Sequence, residues 1–368
     1  MHVICNKQLL VEAVSNVSRA VSSRNTLAAL EGILLKTAAG TISLTGYDLE
    51  LAITTEIEAD IREQGEIVLP AKLFLDMIRR MPSEQVSIKT DEKMLTIIKG
   101  DVTEYTILGI PASEFPELPS ISQTTGLNLP QRILKNMIGQ TLFAVSTSDS
   151  KPVHTGSLFD IRSGELYVVS VDGYRLAMRK EPTGYQEDLM FIVPGKSLSE
   201  VAKLLKEEDA DVELTVSKRH IIFQIGSYHV VSRLLEGEFL DYKAAIPNGS
   251  QTTVRINTRE LIGSIDRSSL LISDNIKSPL RLYFQEGMIR ISCSTAIGKA
   301  YDEIPCKQEG ADVEIGFNSR YMLDALKASE GDEIQLILNG PLSPLKLTPV
   351  EGDSFTFLVL PVRLKSES

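Results

Sequence analysis

Lysine, arginine and carboxylate side chains recur in one pattern at three places along this chain: Lys72, Asp76 and Arg79; Lys196, Glu200 and Lys203; Arg320, Asp324 and Lys327. Each residue stands 124 positions after its predecessor. The i, i+4, i+7 spacing puts each trio on one face of an α-helix. A row of ammonium and guanidinium groups supports ion pairing, either with the carboxylate a turn away or with the phosphates of a ligand. A single such stripe is ordinarily a solvated helix face. Its return at a fixed period points to one domain built three times, and to a function that uses the same face each time.

Bond-making chemistry has far less support. Gly195-Lys196-Ser197 looks like the end of a phosphate loop, but the glycine such a loop needs five residues earlier is Met190. Lys196 is better explained by the stripe. Asp48 and Asp172 are a repeated carboxylate, and Asp172-Gly173 reads as a turn at a strand end rather than half of a catalytic dyad. His2, His154, His220 and His229 have no metal-ligand spacing, and no serine, histidine and acid arrangement stands out. No catalytic residue, metal or cofactor is expected.

The stripes need helices to carry them, and the opposite faces are apolar: Leu73, Phe74, Met77 and Ile78; Leu198, Val201, Ala202 and Leu205; Met322, Leu323, Ala325 and Leu326. Pro70, Pro194 and Asn318 open these helices at the same offset, which also links Gly32 to Gly156, Gly40 to Gly164 and Glu114-Phe115-Pro116-Glu117 to Glu238-Phe239-Leu240-Asp241. A second helix per copy is predicted over Asn6–Val21, Pro130–Val145 and Asn257–Ile272, with Asn6 and Asn257 as N-caps and Pro130 as a first-turn proline. Alternating apolar runs such as 32–36, 40–44, 85–88, 165–170, 212–216 and 280–284 read as strands. Each copy is thus helix, strands, helix, strands: an α+β domain with helices on one face of antiparallel sheet. Polar linkers at 122–126 and 248–253 divide the chain into domains 1–124, 125–250 and 251–368.

Composition sets limits. With 43% hydrophobic residues the chain can fill three cores, and no apolar run approaches the roughly 20 residues of a membrane span. No signal peptide is read at the start. Cys5, Cys293 and Cys306 are scattered and odd in number, as expected of reduced thiols in a cytosol. The net charge of −11 argues against a generally basic nucleic-acid binder, but allows basic charge confined to one face.

Together these segments resemble the bacterial sliding clamp family, the β subunit of DNA polymerase III, over 1–364. The most specific pieces are Val171-Asp172-Gly173-Tyr174-Arg175-Leu176-Ala177, Glu236-Gly237-Glu238-Phe239, Phe317-Asn318 with Tyr321, and Leu360-Pro361-Val362-Arg363-Leu364. The resemblance implies a non-catalytic processivity factor of replication: a head-to-tail homodimeric ring around duplex DNA, with helices lining the hole and sheets outside. Size agrees. Six domains of about 35 Å in a ring leave a hole about one domain wide, whereas three leave only about 5 Å. Each stripe nets one positive charge, and contacts that read no base leave the ring free to slide.

The resemblance and the stripes together give candidate DNA-facing residues. Lys72, Arg79, Lys196, Lys203, Arg320 and Lys327 come from the stripes, and Arg24 from the family alone. The family also has a peptide pocket between its second and third domains. Carried across, it comprises His154, Thr155, Val171, Gly173, Tyr174, Arg175, Leu176, Leu240, Ala245, Asn318, Tyr321, Leu342, Pro344, Leu358, Leu360, Pro361, Val362 and Arg363. Implied partners are duplex DNA without sequence preference, replicative and translesion polymerases, a clamp-loader ATPase and repair proteins with short motifs, all in the cytoplasm. No membrane partner is implied. Tyr105 and Leu108 are expected to face Leu271 and Ile272 of a second copy. The chain departs from the family in Leu240, where proline is common, in His154, where an aliphatic residue is common, and in residues 365–368, past the usual end. Two other readings are a scaffold of the same fold that binds peptides without encircling DNA, and an enzyme using Asp48 and Asp172. The first could be monomeric. The second requires metal-dependent turnover.

Overall fold

The computed structural model describes residues 1–22, 26–122, 125–273 and 278–364. Among them run seven α-helices: α1 (Lys7–Val17), α2 (Ala71–Arg80), α3 (Gln131–Thr141), α4 (Gly195–Leu204), α5 (Tyr242–Ala245), α6 (Thr258–Ser268) and α7 (Ser319–Ala328). The stripes lie on α2, α4 and α7. Asn6 caps α1 by accepting from the amides of Gln8 and Leu9, and Asn257 caps α6 through that of Glu260. These side chains satisfy donors that the first helical turn leaves open.

The chain divides into two compact units. The first, Met1–Leu134 with Glu200–Leu234, is built on a twelve-stranded antiparallel sheet. Its long strand Leu51–Glu63 pairs with His2–Asn6 and with Thr41–Tyr47. The same strand pairs with Tyr228–Arg233, so the sheet runs on from the first repeat into the second. Period-two burial in Gln85–Thr90 turns Val86, Ile88 and Thr90 inward. Helices α1 and α2 pack side by side. Leu10, Val14, Phe74 and Ile78 are fully buried.

The second unit, Lys135–Ser199 with the chain from Leu235 onward, holds a nine-stranded and a four-stranded antiparallel sheet. Strand Arg175–Pro182 of the second repeat pairs with Phe355–Val359 of the third. Its largest core gathers Ile265, Phe284, Phe317, Met322 and Phe357, with Ala144 and Ala177 contributed by the second repeat. Removing a ring such as Phe317, fully buried, would cost about 3–5 kcal/mol. The compact units therefore cut across the repeats, because the twelve- and nine-stranded sheets continue over repeat boundaries.

Several sequence expectations are corrected. Leu73 is 46% exposed, since α2 turns only Ala71, Phe74 and Ile78 inward. Pro130 does not open α3. It ends strand Thr125–Pro130, paired with Asp211, at the sheet edge where no ladder N–H is needed. Thr125-Gly126 and Thr252-Thr253, read as linker, are already strand. Gly40 is not strand but a turn residue at φ +77°, a conformation that favours glycine.

Candidate functional site

The second unit builds a polar–aromatic cluster around one arginine. The turn after Val171 is closed by Asp172, whose Oδ1 accepts from the amides of Tyr174 (2.9 Å) and Arg175 (3.1 Å). Gly173 takes φ +90°, which L side chains rarely adopt, and Tyr174 is left 61% exposed. Arg175 donates from Nε to Asp172 Oδ2 at 2.9 Å and from Nη1 to Asp324 Oδ2 at 2.6 Å. Its guanidinium carbon lies 4.6 Å from the ring centre of Tyr321 and 5.4 Å from that of Phe143. Tyr321 rises from the first turn of α7, where Asn318 Oδ1 accepts from the amides of Arg320 and Tyr321. The Tyr174 and Tyr321 rings stack at 5.8 Å and 24°. Burial, and next the charge of Asp172, push the Tyr321 phenol above its ordinary value.

The chain's tail crosses this cluster. Val359 pairs with Arg175 and Leu358 with Leu176. The Leu360 amide then donates to Tyr174 O at 2.9 Å and that of Val362 to Gly316 O at 2.7 Å. A Cβ on Gly316 would meet Val362 O at 2.6 Å, so only glycine admits the tail here. Leu358 and Leu176 are buried, whereas Leu360 (40%) and Val362 (39%) keep substantial exposure. Val171, Leu176 and Leu358 form a smaller core against which Leu235, Phe239, Ala245 and Ile246 pack. The segment carrying those residues is anchored by Tyr242, whose hydroxyl donates to buried Asp160 at 2.8 Å. His154 meets Phe239 edge-on at 5.5 Å, and burial followed by the charge of Lys151 holds its imidazole pKa below 6.5.

Of the candidate cleft residues, the structure thus brings together Val171, Gly173, Tyr174, Arg175, Leu176, Ala245, Tyr321, Leu358, Leu360 and Val362. His154 joins through Phe239. Leu342 (69%) and Pro344 precede strand Leu345–Pro349, which pairs with Phe355–Val359. Leu240 and Arg363 are exposed, and Pro361 is half-buried. Thr155 turns its hydroxyl back to Pro152 O, and Asn318 is occupied in capping α7. Phe239 stands in a family segment but was not placed in the cleft, and sequence reasoning missed Phe143, Asp160 with Tyr242, and the place of Asp324. Only a contact from a distant part of the chain distinguishes these residues, and no local pattern signals that.

On the stripes, Lys72, Arg79, Lys196, Lys203, Arg320 and Lys327 are all exposed. The acidic members differ in what they bind. Glu200 holds Lys203 at 2.7 Å, whereas Asp324 leaves its own helix for Arg175. Arg79 donates to Ser15 Oγ at 3.0 Å. Arg24 lies outside the described residues.

Family models for the N-terminal, central and C-terminal domains of the DNA polymerase III beta subunit match residues 1–119, 128–241 and 243–363. The chain belongs to this family. It is 35% identical to the beta sliding clamp of Bacillus subtilis strain 168 over 97% of this chain and 98% of that one. It is 33% identical to that of Staphylococcus epidermidis over 99% of each. The crystal structure of the Bacillus subtilis DNA polymerase sliding clamp superimposes with a TM-score of 0.96 at 34% identity, covering 99% of this chain and 100% of that one. A putative DNA polymerase III beta subunit from Eubacterium rectale gives 0.94 at 35% identity, covering 98% and 99%. As a sliding clamp the chain is a processivity factor of DNA replication, non-catalytic and built of three repeated clamp domains.

The repeated carboxylates fit a clamp without catalysis. Asp48 Oδ1 accepts from the amides of Glu50 and Leu51, which closes the first repeat's counterpart of the Asp172 turn. Cys5, Cys293 and Cys306 are free thiols. Among the described residues no cluster of histidine, cysteine and carboxylate could hold a metal, and no helix is long and apolar enough to cross a membrane. Each unit also ends a sheet on an open strand. Thr103–Leu108 closes one end of the twelve-stranded sheet and carries Tyr105, half-buried, and Leu108, 67% exposed. Gly298–Pro305 closes one end of the four-stranded sheet, with Tyr301 at 63%. Leu271 and Ile272 are partly buried against their own core, while their neighbour Leu270 is 82% exposed.

Proposed function

We propose that two copies of this chain close head to tail into a ring around duplex DNA, with repeats bounded near residues 124 and 250, and that the tail cleft tethers partner proteins. The observation that carries the ring is the return of exposed basic residues at the same positions of α2, α4 and α7 in a chain whose full length matches the clamp family. Lys72, Arg79, Lys196, Lys203, Arg320 and Lys327, with Arg24 from the family pattern, contact phosphates weakly and without reading bases, so the ring is held by enclosure and remains free to move. Tyr105 and Leu108 on one open strand meet the Leu271–Ile272 end of a second copy. Pairing would remove the exposed edges that sheets otherwise keep protected.

In this reading the apolar surface of Tyr174, Leu240, Leu342, Leu360 and Val362, with Arg175 and Arg363, receives short extended motifs. These belong to replicative and translesion polymerases, repair proteins and the loader ATPase that opens the ring, all in the cytoplasm. Exposed apolar groups rimmed by polar ones suit peptide anchors. Retention after loading tests the ring. The protein should stay on circular duplex DNA and leave once that DNA is linearised. Equal loss from both forms would remove the enclosure reading and leave a peptide-binding scaffold.

A further inference from the structure

We infer that Asp324 is a positioning residue of the tail cleft rather than a member of the DNA-facing stripe. The inference rests on the cleft reading above. Its position at i+4 between Arg320 and Lys327 places it in the stripe by sequence, where it should pair along α7. In the structure it pairs with Arg175 of the second repeat, Oδ2 to Nη1 at 2.6 Å. The Arg175 side chain is 11% exposed and is held from a second side by Asp172. Between the two carboxylates the guanidinium is fixed 4.6 Å from the Tyr321 ring centre, and Tyr321 in turn carries the stacked Tyr174. Tyr174 is the most exposed aromatic of the cluster, and its carbonyl receives the tail at Leu360.

The chain of contacts therefore runs from Asp324 to Arg175, to Tyr321, to the ring and backbone against which a docked peptide would lie. Two carboxylates on separate N–H groups of a planar guanidinium restrict its tilt against the ring more than one does. With Asp324 gone, Asp172 still neutralises Arg175. The fold persists, and the loss is one of position.

The test uses the full-length chain and a fluorescein-labelled synthetic peptide copying the C-terminal segment of the same organism's replicative polymerase. Asp324→Asn should weaken peptide binding about threefold to tenfold, and Asp324→Glu should recover part of it. Adding Asp324→Asn to Arg175→Ala should change affinity no further, since the carboxylate acts through the arginine. If Arg175→Ala does not fold by circular dichroism, Arg175→Met, which keeps the apolar stem without the cation, replaces it in the cycle. The salt dependence of duplex DNA binding should be nearly that of the parent in Asp324→Asn. Full additivity with the arginine substitution, unchanged peptide affinity, or an altered DNA salt slope in place of a peptide effect would each overturn the assignment. Failure of the cleft reading looks different: peptide affinity would then also ignore Leu360→Asp.

Discussion

Ending the chain at Val359 separates the cleft from the fold. The truncation removes two backbone hydrogen bonds, Leu360 N–H to Tyr174 O and Val362 N–H to Gly316 O, with the side chains of Leu360, Val362 and Arg363. It leaves Phe355–Val359 paired on both sides, to Arg175–Pro182 and to Leu345–Pro349, with Phe357, Leu358 and Val359 still buried. Two hydrogen bonds are worth about 1–3 kcal/mol together. That is less than the loss of one core phenylalanine, so the domain stays folded and melts a few degrees lower. Peptide binding loses apolar walls and a cation at once. It should fall at least about tenfold, or 1.4 kcal/mol. Calorimetric titration of one polymerase-derived peptide into the full chain, a chain ending at Leu364 and a chain ending at Val359 decides the matter. The first two should bind alike. Equal affinity of the third would place the partner site away from this cleft.

Other consequences follow from the same contacts. Lys203→Ala should flatten the log–log salt dependence of DNA binding less than Lys72→Ala, because Glu200 already neutralises Lys203 at 2.7 Å; a free cation is worth up to about 0.9 in that slope, and equal slopes would refute the distinction. Leu108→Glu should give a folded monomer by sedimentation, since the side chain is 67% exposed on an open strand and costs its own core little. An intact dimer would move the seam elsewhere. Burial lowers His154 and His220 below their ordinary pKa of 6.5. The unfolded chain then takes up these protons first, so their contribution is complete above about pH 6.5 and is lost as pH falls through the folded values. The melting temperature should drop on acidification, and less so in His154→Gln with His220→Gln.

The repeat, its helices and most strands were legible in the sequence because they are local. A cap such as Asn257 or the alternation in Leu280–Gln285 is written within a few residues. The misreadings lie where one segment's surroundings come from another. Pro130 has the chemistry of a helix start, yet pairing with Asp211 holds it in a strand. Leu73 follows the apolar pattern of α2 and still faces out. Within the cleft, Tyr174, Arg175 and the tail were legible through family motifs. The arginine's partners Phe143 and Asp324 were not, since nothing near them in sequence marks the contact.

The stripe acids show why equal repeats need not act equally. Asp76, Glu200 and Asp324 share one position in the repeat, so position alone assigns them one role. Glu200 finds Lys203 on its own helix, while Asp324 finds Arg175 because strand Arg175–Pro182 continues the third repeat's sheet through Phe355–Val359. The same pairing brings the tail onto Tyr174. Sheet continuity between repeats thus takes one acid out of the charge stripe and gives it to the cleft. On the proposed reading, helix α7 carries exposed cations, Arg320 and Lys327, toward DNA, and Tyr321 with Asp324 toward the cleft. A substitution on this helix has to be assayed against both DNA and peptide before its effect is assigned to either.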